Sequence, residues 1–316
     1  MLIRPVGNVC AADYCRRMTE TYLAQSPVTD PGAHASWVAE LPKDVSALRD
    51  ASSELVFHYR GGGDYEQNGV PEERVREVDT RYVDEMLKIL HERSAAPLGT
   101  PRPASERLVG CCRDFTALFV SFARAHGVRA RTRVGFAGYF MPGWWLDHVV
   151  GEVWDAEQNR WRLVEAQVSP DFVDAGTGEV LNVLDVPRDR FLTGPDAWRA
   201  SRNGTLDHGR FVVHPELPEP FLRSWPYLAH NLVLDLAALG SREMVLWDEY
   251  GLLTGPLSDT DKGLLDEVAT EISHTVDPKL VGSWLRNEPL RIPEELTSYS
   301  PTSGPQQVTL RPWLAT

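Results

Sequence analysis

Cysteine is scarce in this chain. Four residues in 316, at Cys10, Cys15, Cys111 and Cys112, are too few to hold a molecule of this size together by disulfides. Long apolar runs are missing as well, since no stretch approaches the roughly 20 residues that cross a bilayer as a helix. The opening MLIRPVGNVCAADYCRRM lacks the apolar core and small-residue cleavage pattern of a secretory signal. Positive charge is in deficit, with 32 Lys and Arg against 45 Asp and Glu and a formal net charge of −13. General nucleic-acid binding draws on clustered cations, so the composition argues against that class. Basic residues gather at Arg124, Arg129, Arg131 and Arg133, on a helix end and the following strand, where solvent-facing arginines are expected. There is no fixed-period repeat and no low-complexity tract. These absences lead to the expectation of a cytoplasmic, reduced protein with free thiols and no membrane or nucleic-acid partner.

What is present is an ordinary globular composition, 42% hydrophobic and 24% charged, enough to bury a substantial core. Residues 44–59 combine a helix-like start with a short apolar run and end in the turn-rich Arg60–Asp64. Thr80–Arg93 has the spacing of an amphipathic helix, with Tyr82, Met86, Ile89 and Leu90 near one face. A proline-rich connector, Pro97–Pro103, precedes the cysteines. Phe115, Leu118, Phe119, Phe122 and Ala123 recur at helical spacing, and Gly127 stands where the helix should end. Three strand-like runs follow at Ala130–Tyr139, His148–Trp154 and Arg160–Gln167. The short link Asp155–Asn159 predicts a hairpin between the last two. Beyond Pro170, residues 185–200 read as a loop and a short helix, Asn231–Leu239 and Asp261–His274 as helices, and the tail from Pro289 as irregular. No linker divides the chain, which predicts one α+β domain over 1–316 with helical decoration at both ends.

Within this frame, a cysteine, a histidine and an acid follow one another over residues 111–165. Cys112 lies at a helix start, where unpaired N–H groups and the helix dipole stabilise a thiolate. Taken alone, a cysteine there is more often core, and two adjacent cysteines can simply pack. His148 opens an apolar strand, where a lone histidine is usually structural. A symmetric pairing of Trp154 with Trp161 sets Val150 opposite Glu165, one diagonal step from His148 on the same face. Glu152 shares that face and is the rival acid. Cys111, Cys112 and His148 are also metal-ligand types, but no C-x₂-C or H-x₃-H spacing accompanies them.

The stretch LVGCCRDFTALFVSFARAHGVRARTRVGFAGYF…DHVVGEVWDAEQNRWRLVEAQ resembles the bacterial transglutaminase-like superfamily, which has a papain-like cysteine fold. The flanking runs LVFHYR and LDVPRDRFLTG read like those of its actinobacterial members. The resemblance implies a core over about residues 80–170, with a nucleophile helix packed on an antiparallel sheet and extra helices at both ends. Its motifs select Cys112 over Cys111, match His148, and place the third residue at Glu165. Glutamate there occupies a position where the family carries aspartate, and its longer side chain changes the reach.

The triad so implied would run acyl transfer without metal or organic cofactor. Glu165 would orient His148, His148 would activate Cys112, and the thiolate would attack an amide or thioester carbonyl. The expected partners are a peptide or small-molecule acyl donor and an amine acceptor, with a carrier protein as one source of the donor. A peptidase or amidase using the same residues is the alternative, and a non-catalytic binding module of the same fold comes third. Trp144 and Trp145 precede His148 in an apparent turn and either cap the core or wall a tunnel over the thiolate. Asp147 reads as an exposed turn aspartate, with an amine contact as its functional reading. Arg113 reads as a helix-start charge partner of Asp114, with substrate contact as the minority role.

Overall fold

The computed structural model describes residues 22–274 and 276–312. The opening segment, with Cys10 and Cys15, lies outside them. The first α-helices of the described residues are α1 (Ala35–Ala39) and α2 (Val45–Leu55). Asp44 starts α2 by accepting from the Ser46 and Ala47 amides at 2.9 and 3.1 Å. Leu48, Ala51 and Leu55 bury one face of it. The chain then passes directly into β1 (Val56–His58), so the mixed pattern of residues 44–59 resolves into a helix and a strand. A 3₁₀ run, Glu72–Asp79, leads to α3 (Val83–Arg93), three residues shorter at its start than the predicted helix. Then β2 (Leu108–Gly110) pairs in parallel with β1, His58 lying opposite Gly110.

Next comes α4 (Cys112–Ala125), the buried axis of the molecule; every residue from Cys112 to Arg124 is covered. Gly127, at φ +75, turns the chain out of it as expected. The central antiparallel sheet follows, built from β3 (Ala130–Ala137), β4 (Trp145–Asp155), β5 (Arg160–Val164) and β6 (Phe191–Thr193), in the order β5-β4-β3-β6. Trp154 pairs with Trp161, the predicted hairpin register. After β6 come α5 (Gly194–Arg202) and β7 (Phe211–Val212), which runs parallel beside the start of β4. The chain continues through α6 (Ser224–Leu239), β8 (Asp248–Glu249), α7 (Asp259–His274), α8 (Pro278–Trp284), β9 (Glu295–Ser300) and β10 (Gly304–Thr309). This is an α+β fold. Among the described residues no helix is long and apolar enough to cross a membrane.

Two expectations change. The tail is not irregular, because β9 and β10 form a hairpin extended by β8. Pro305 is tolerated because β10 is the edge strand of that sheet. The C-terminal decoration is therefore mixed, not wholly helical. The arginines also differ from their solvent-facing reading. β3 is covered along its whole length, so charges on it must be paired. Arg131 and Arg133 bind Glu152 at 2.6 and 3.2 Å, Arg133 binds Asp235 at 2.7 Å, and Arg124 binds Glu243 at 3.2 Å. Only Arg129 of the four keeps partial exposure.

Helix α4 is fixed to β4 at two adjacent points. The Thr116 hydroxyl donates to the Val149 carbonyl at 3.0 Å. One turn on, the Phe119 ring lies against Gly151, where an added Cβ would come within 2.6 Å of it. On the other side, α6 caps the open edge of β3. Asn231 donates to the Gly135 carbonyl at 2.9 Å, and Asp235 accepts from the Val134 amide at 2.8 Å. Gly151→Ala is expected to cost about 1–3 kcal/mol by overpacking this contact. A chemical-denaturation midpoint equal to that of wild type would contradict the close approach described here.

Candidate active site

Cys112 is the first residue of α4, preceded by the extended Cys111. The Asp114 carboxylate accepts from the Cys111 amide at 2.8 Å and from Arg113 at 3.1 Å, fixing the entry to the helix. The Arg113–Asp114 pair expected from sequence is present. Arg113 is enclosed, however, which disfavours the substrate contact. It is 2% exposed, and its guanidinium donates to the Arg81 and Glu243 carbonyls at 2.6 and 3.0 Å, tying the helix start to neighbouring chain. The Cys112 amide, in the first turn, has no acceptor within the helix.

Cys112 neighbours His148, whose contact favours its thiolate, and the histidine also meets the acid: Nε2 lies 2.7 Å from Glu165 Oε2. Glu165 sits one residue beyond β5, where the hairpin register carries it back beside His148. Its carboxylate also accepts from the Tyr139 hydroxyl and, through Oε1, from the Gln167 amide at 2.7 Å. Its backbone carbonyl accepts from Arg49 at 2.8 Å. The longer side chain thus reaches the imidazole while its carboxylate is also held by Tyr139 and Gln167. Phe140 packs edge-on to the His148 ring at 5.0 Å and Tyr139 at 6.0 Å, shielding the pair from water.

The charges follow from this burial. Glu165 would be driven upward by desolvation, but the His148 charge and the donated hydrogen bonds bring it below its usual range. His148 would be driven down by desolvation, yet Glu165 and the Cys112 contact lift it to about 10. The Cys111 hydrogen bond favours the Cys112 thiolate, burial opposes it, and His148 favours it, leaving Cys112 lowered to about 7. Cys111 moves the other way, well above its ordinary value, through its bond to Cys112 and its burial. The two neighbours divide into a thiolate-former and a protonated donor. The rival acid, Glu152, has a different place. Burial would raise it, but Arg131, Arg133 and Arg188 hold it far below the usual carboxylate range.

Asp147 is not an exposed turn residue. It lies on β4 and accepts from Tyr227 and Asn231, both at 2.9 Å. Trp144 and Trp145 are half-buried and line a hollow of about 300 Å³ with Gly138, Leu206 and Arg210. Trp145 belongs to β4 and stacks on Phe211 at 5.9 Å, and the Arg210 guanidinium sits 5.0 Å from the Trp144 ring. Neither Cys112 nor His148 lines that hollow, so a tunnel directly over the thiolate is not what these tryptophans form.

Sequence reasoning missed Tyr139, Tyr227 and Asn231. Tyr139 was within reach of it, because alternation along the run 130–139 puts it on the face of Gly135, which pairs with His148. Tyr227 and Asn231 share one face of α6, about 80 residues away, and no local pattern links them to the site.

The Transglutaminase-like superfamily model matches residues 65–166, which include Cys112, His148 and Glu165. No curated protein matches the chain. Among solved structures, the crystal structure of a candidate cysteine protease from Cytophaga hutchinsonii aligns at 15% identity and a TM-score of 0.33. That alignment covers 56% of this chain and 45% of the other, less than half its length. The family match covers about a third of the chain, and the stretch it covers, residues 65–166, is similar to the transglutaminase-like superfamily.

Proposed function

We propose that this protein is a cysteine-dependent acyl-transfer enzyme working through a thioacyl intermediate. The observation that carries the reading is the buried Cys112–His148–Glu165 relay, with a thiolate-forming cysteine at a helix N-terminus and a histidine held protonated by its acid. In the working state the Cys112 thiolate adds to a carbonyl carbon of the donor. Charge developing on the carbonyl oxygen meets the unpaired N–H groups of the first turn of α4. His148 then gives its proton to the departing amine or thiol as the C–N or C–S bond breaks. In the second half, the neutral imidazole takes a proton from an incoming amine while the new amide forms, and Cys112 leaves as thiolate. Glu165 stays ionised throughout and keeps the ring oriented, and Tyr139 and the Gln167 amide keep Glu165 in place.

The donor is a peptide or a small amide or thioester, with a carrier-bound thioester among the fitting forms, and the acceptor is a primary amine. Water in place of the amine would make the same residues an amidase. The aromatic enclosure of His148 by Tyr139 and Phe140 supports transfer, because it limits the water that reaches the acyl-enzyme.

Iodoacetamide should label Cys112 selectively, with a rate rising through about pH 7, and His148→Ala should remove that selectivity. Slow, equal labelling of all four cysteines, mapped by mass spectrometry, would sink the enzyme reading and leave a binding module. Turnover should be bell-shaped in pH, rising through about 7 as the thiolate forms and falling near 10 as His148 loses its proton. Since Glu165 raises His148, Glu165→Gln should move the falling limb to lower pH and reduce kcat by about 10²–10⁴-fold. An unmoved limb would remove Glu165 from the relay. With an activated thioester and a competing primary amine, amide product is expected; free acid alone would establish the amidase.

A further inference from the structure

Asp147 immediately precedes His148 on β4, so alternation turns the two side chains to opposite faces. His148 meets Glu165. Asp147 meets α6, where the Tyr227 hydroxyl and the Asn231 amide each donate to one of its oxygens. Both of these partners are neutral. The nearest histidine of α6, His230, stacks on Tyr227 and is pushed below its ordinary value by burial.

The fully buried acids are held differently. Among the described residues, the fully buried Asp114, Glu152, Glu165, Asp174, Asp235, Glu243 and Asp248 each face an Arg or, for Glu165, His148. Asp147 has hydrogen-bond donors but no ion pair; burial pushes its carboxyl above the usual carboxylate range, the two hydrogen bonds and the nearby His230 and His148 act the other way, and the residue keeps partial exposure. A carboxylate offers about four lone-pair sites, and two are filled here. Its charge also opposes the thiolate of Cys112. An acid in that position is unfavourable for an empty site and favourable once a positive charge arrives.

We propose that Asp147 seats a positively charged group, an ammonium or guanidinium, carried by the acyl donor beside its reactive carbonyl. The cation belongs to the donor and not the acceptor. An attacking amine must be unprotonated, and a carboxylate would hold it in the protonated form. The donor class is therefore an aminoacyl or peptidyl amide or thioester with a free N-terminus or a basic side chain next to the bond attacked. Binding such a donor also removes the negative field on Cys112, so the correct substrate sharpens the nucleophile it meets.

The inference rests on Cys112 being the nucleophile, and the test separates the two claims. Wild-type protein is treated with 2-aminoethyl, methyl and 2-sulfonatoethyl methanethiosulfonate, which are cationic, neutral and anionic. In each case the thiolate attacks the thiosulfonate sulfur and methanesulfinate leaves. Rates at Cys112, located by mass spectrometry, are divided by those for 2-mercaptoethanol. The cationic reagent is expected to exceed the neutral one by about tenfold, with the anionic one slowest. The advantage should collapse in Asp147→Asn and persist in Asp147→Glu, which keeps the charge. No cation preference in wild type overturns the proposal without any variant. A preference that survives Asp147→Asn also overturns it and assigns the effect to the overall negative charge of the chain. If Cys112 reacts with none of the reagents, the nucleophile reading itself falls and takes this one with it. To tell a free N-terminus from a basic side chain, protection of Cys112 by glycinamide is compared with protection by N-acetyl-lysinamide.

Discussion

The site depends on how one helix is seated on one strand. Thr116 and Phe119 fix α4 to β4 through the Val149 carbonyl and the bare backbone of Gly151. Thr116 lies one helical turn beyond Cys112, and Val149 is the neighbour of His148. The contact that sets the helix height therefore also sets the distance between nucleophile and base. A larger residue at 151 would move the helix bodily, because packed interiors transmit strain instead of absorbing it. The other anchors serve the same end. Asp114 and Arg113 fix the first turn, and the β1–β2 pair delivers the chain to it.

Burial makes this arrangement costly for charges, and the molecule answers with partners. Arg131, Arg133 and Arg188 converge on Glu152, and Asp235 receives Arg133 together with the Val134 amide. Breaking such a pair leaves an uncompensated buried charge, which costs about 3–5 kcal/mol. These ionic groups act as positioning devices, joining α6 to the edge of β3 and so holding Tyr227 and Asn231 where they meet Asp147. The same rule explains why Glu165 outcompetes Glu152 for His148. Glu152 is already committed to three guanidinium groups, and an imidazole would add little to a carboxylate so satisfied.

Much of the core was legible from local pattern. Apolar spacing located α4, Gly127 marked its end, and the Trp154–Trp161 pairing predicted the register that brings Glu165 to His148. Those features depend on periodicity and short-range turns, which a single sequence carries. The arginines of β3 were misread because alternation cannot show that both faces of a strand are covered. That depends on α6 arriving from about 100 residues away. The C-terminal hairpin was hidden by its prolines, which suit an edge strand as well as a loop. Asp147 looked like turn chemistry because Pro142, Gly143 and two tryptophans precede it, yet β4 already begins at Trp145.

The consequence is an asymmetric centre. On one face of β4 an acid is matched to its histidine, shielded by aromatic rings and fixed by three hydrogen bonds to its carboxylate. On the other face an acid is fixed by two neutral donors and forms no ion pair. The first arrangement is complete in the resting protein and suits a group whose charge never changes through the reaction. The second is complete only when something positive is added. Adjacent positions on a strand, separated by the alternation of a β-pleat, thus divide the work: His148 faces the machinery that the protein supplies, and Asp147 faces what must come from outside.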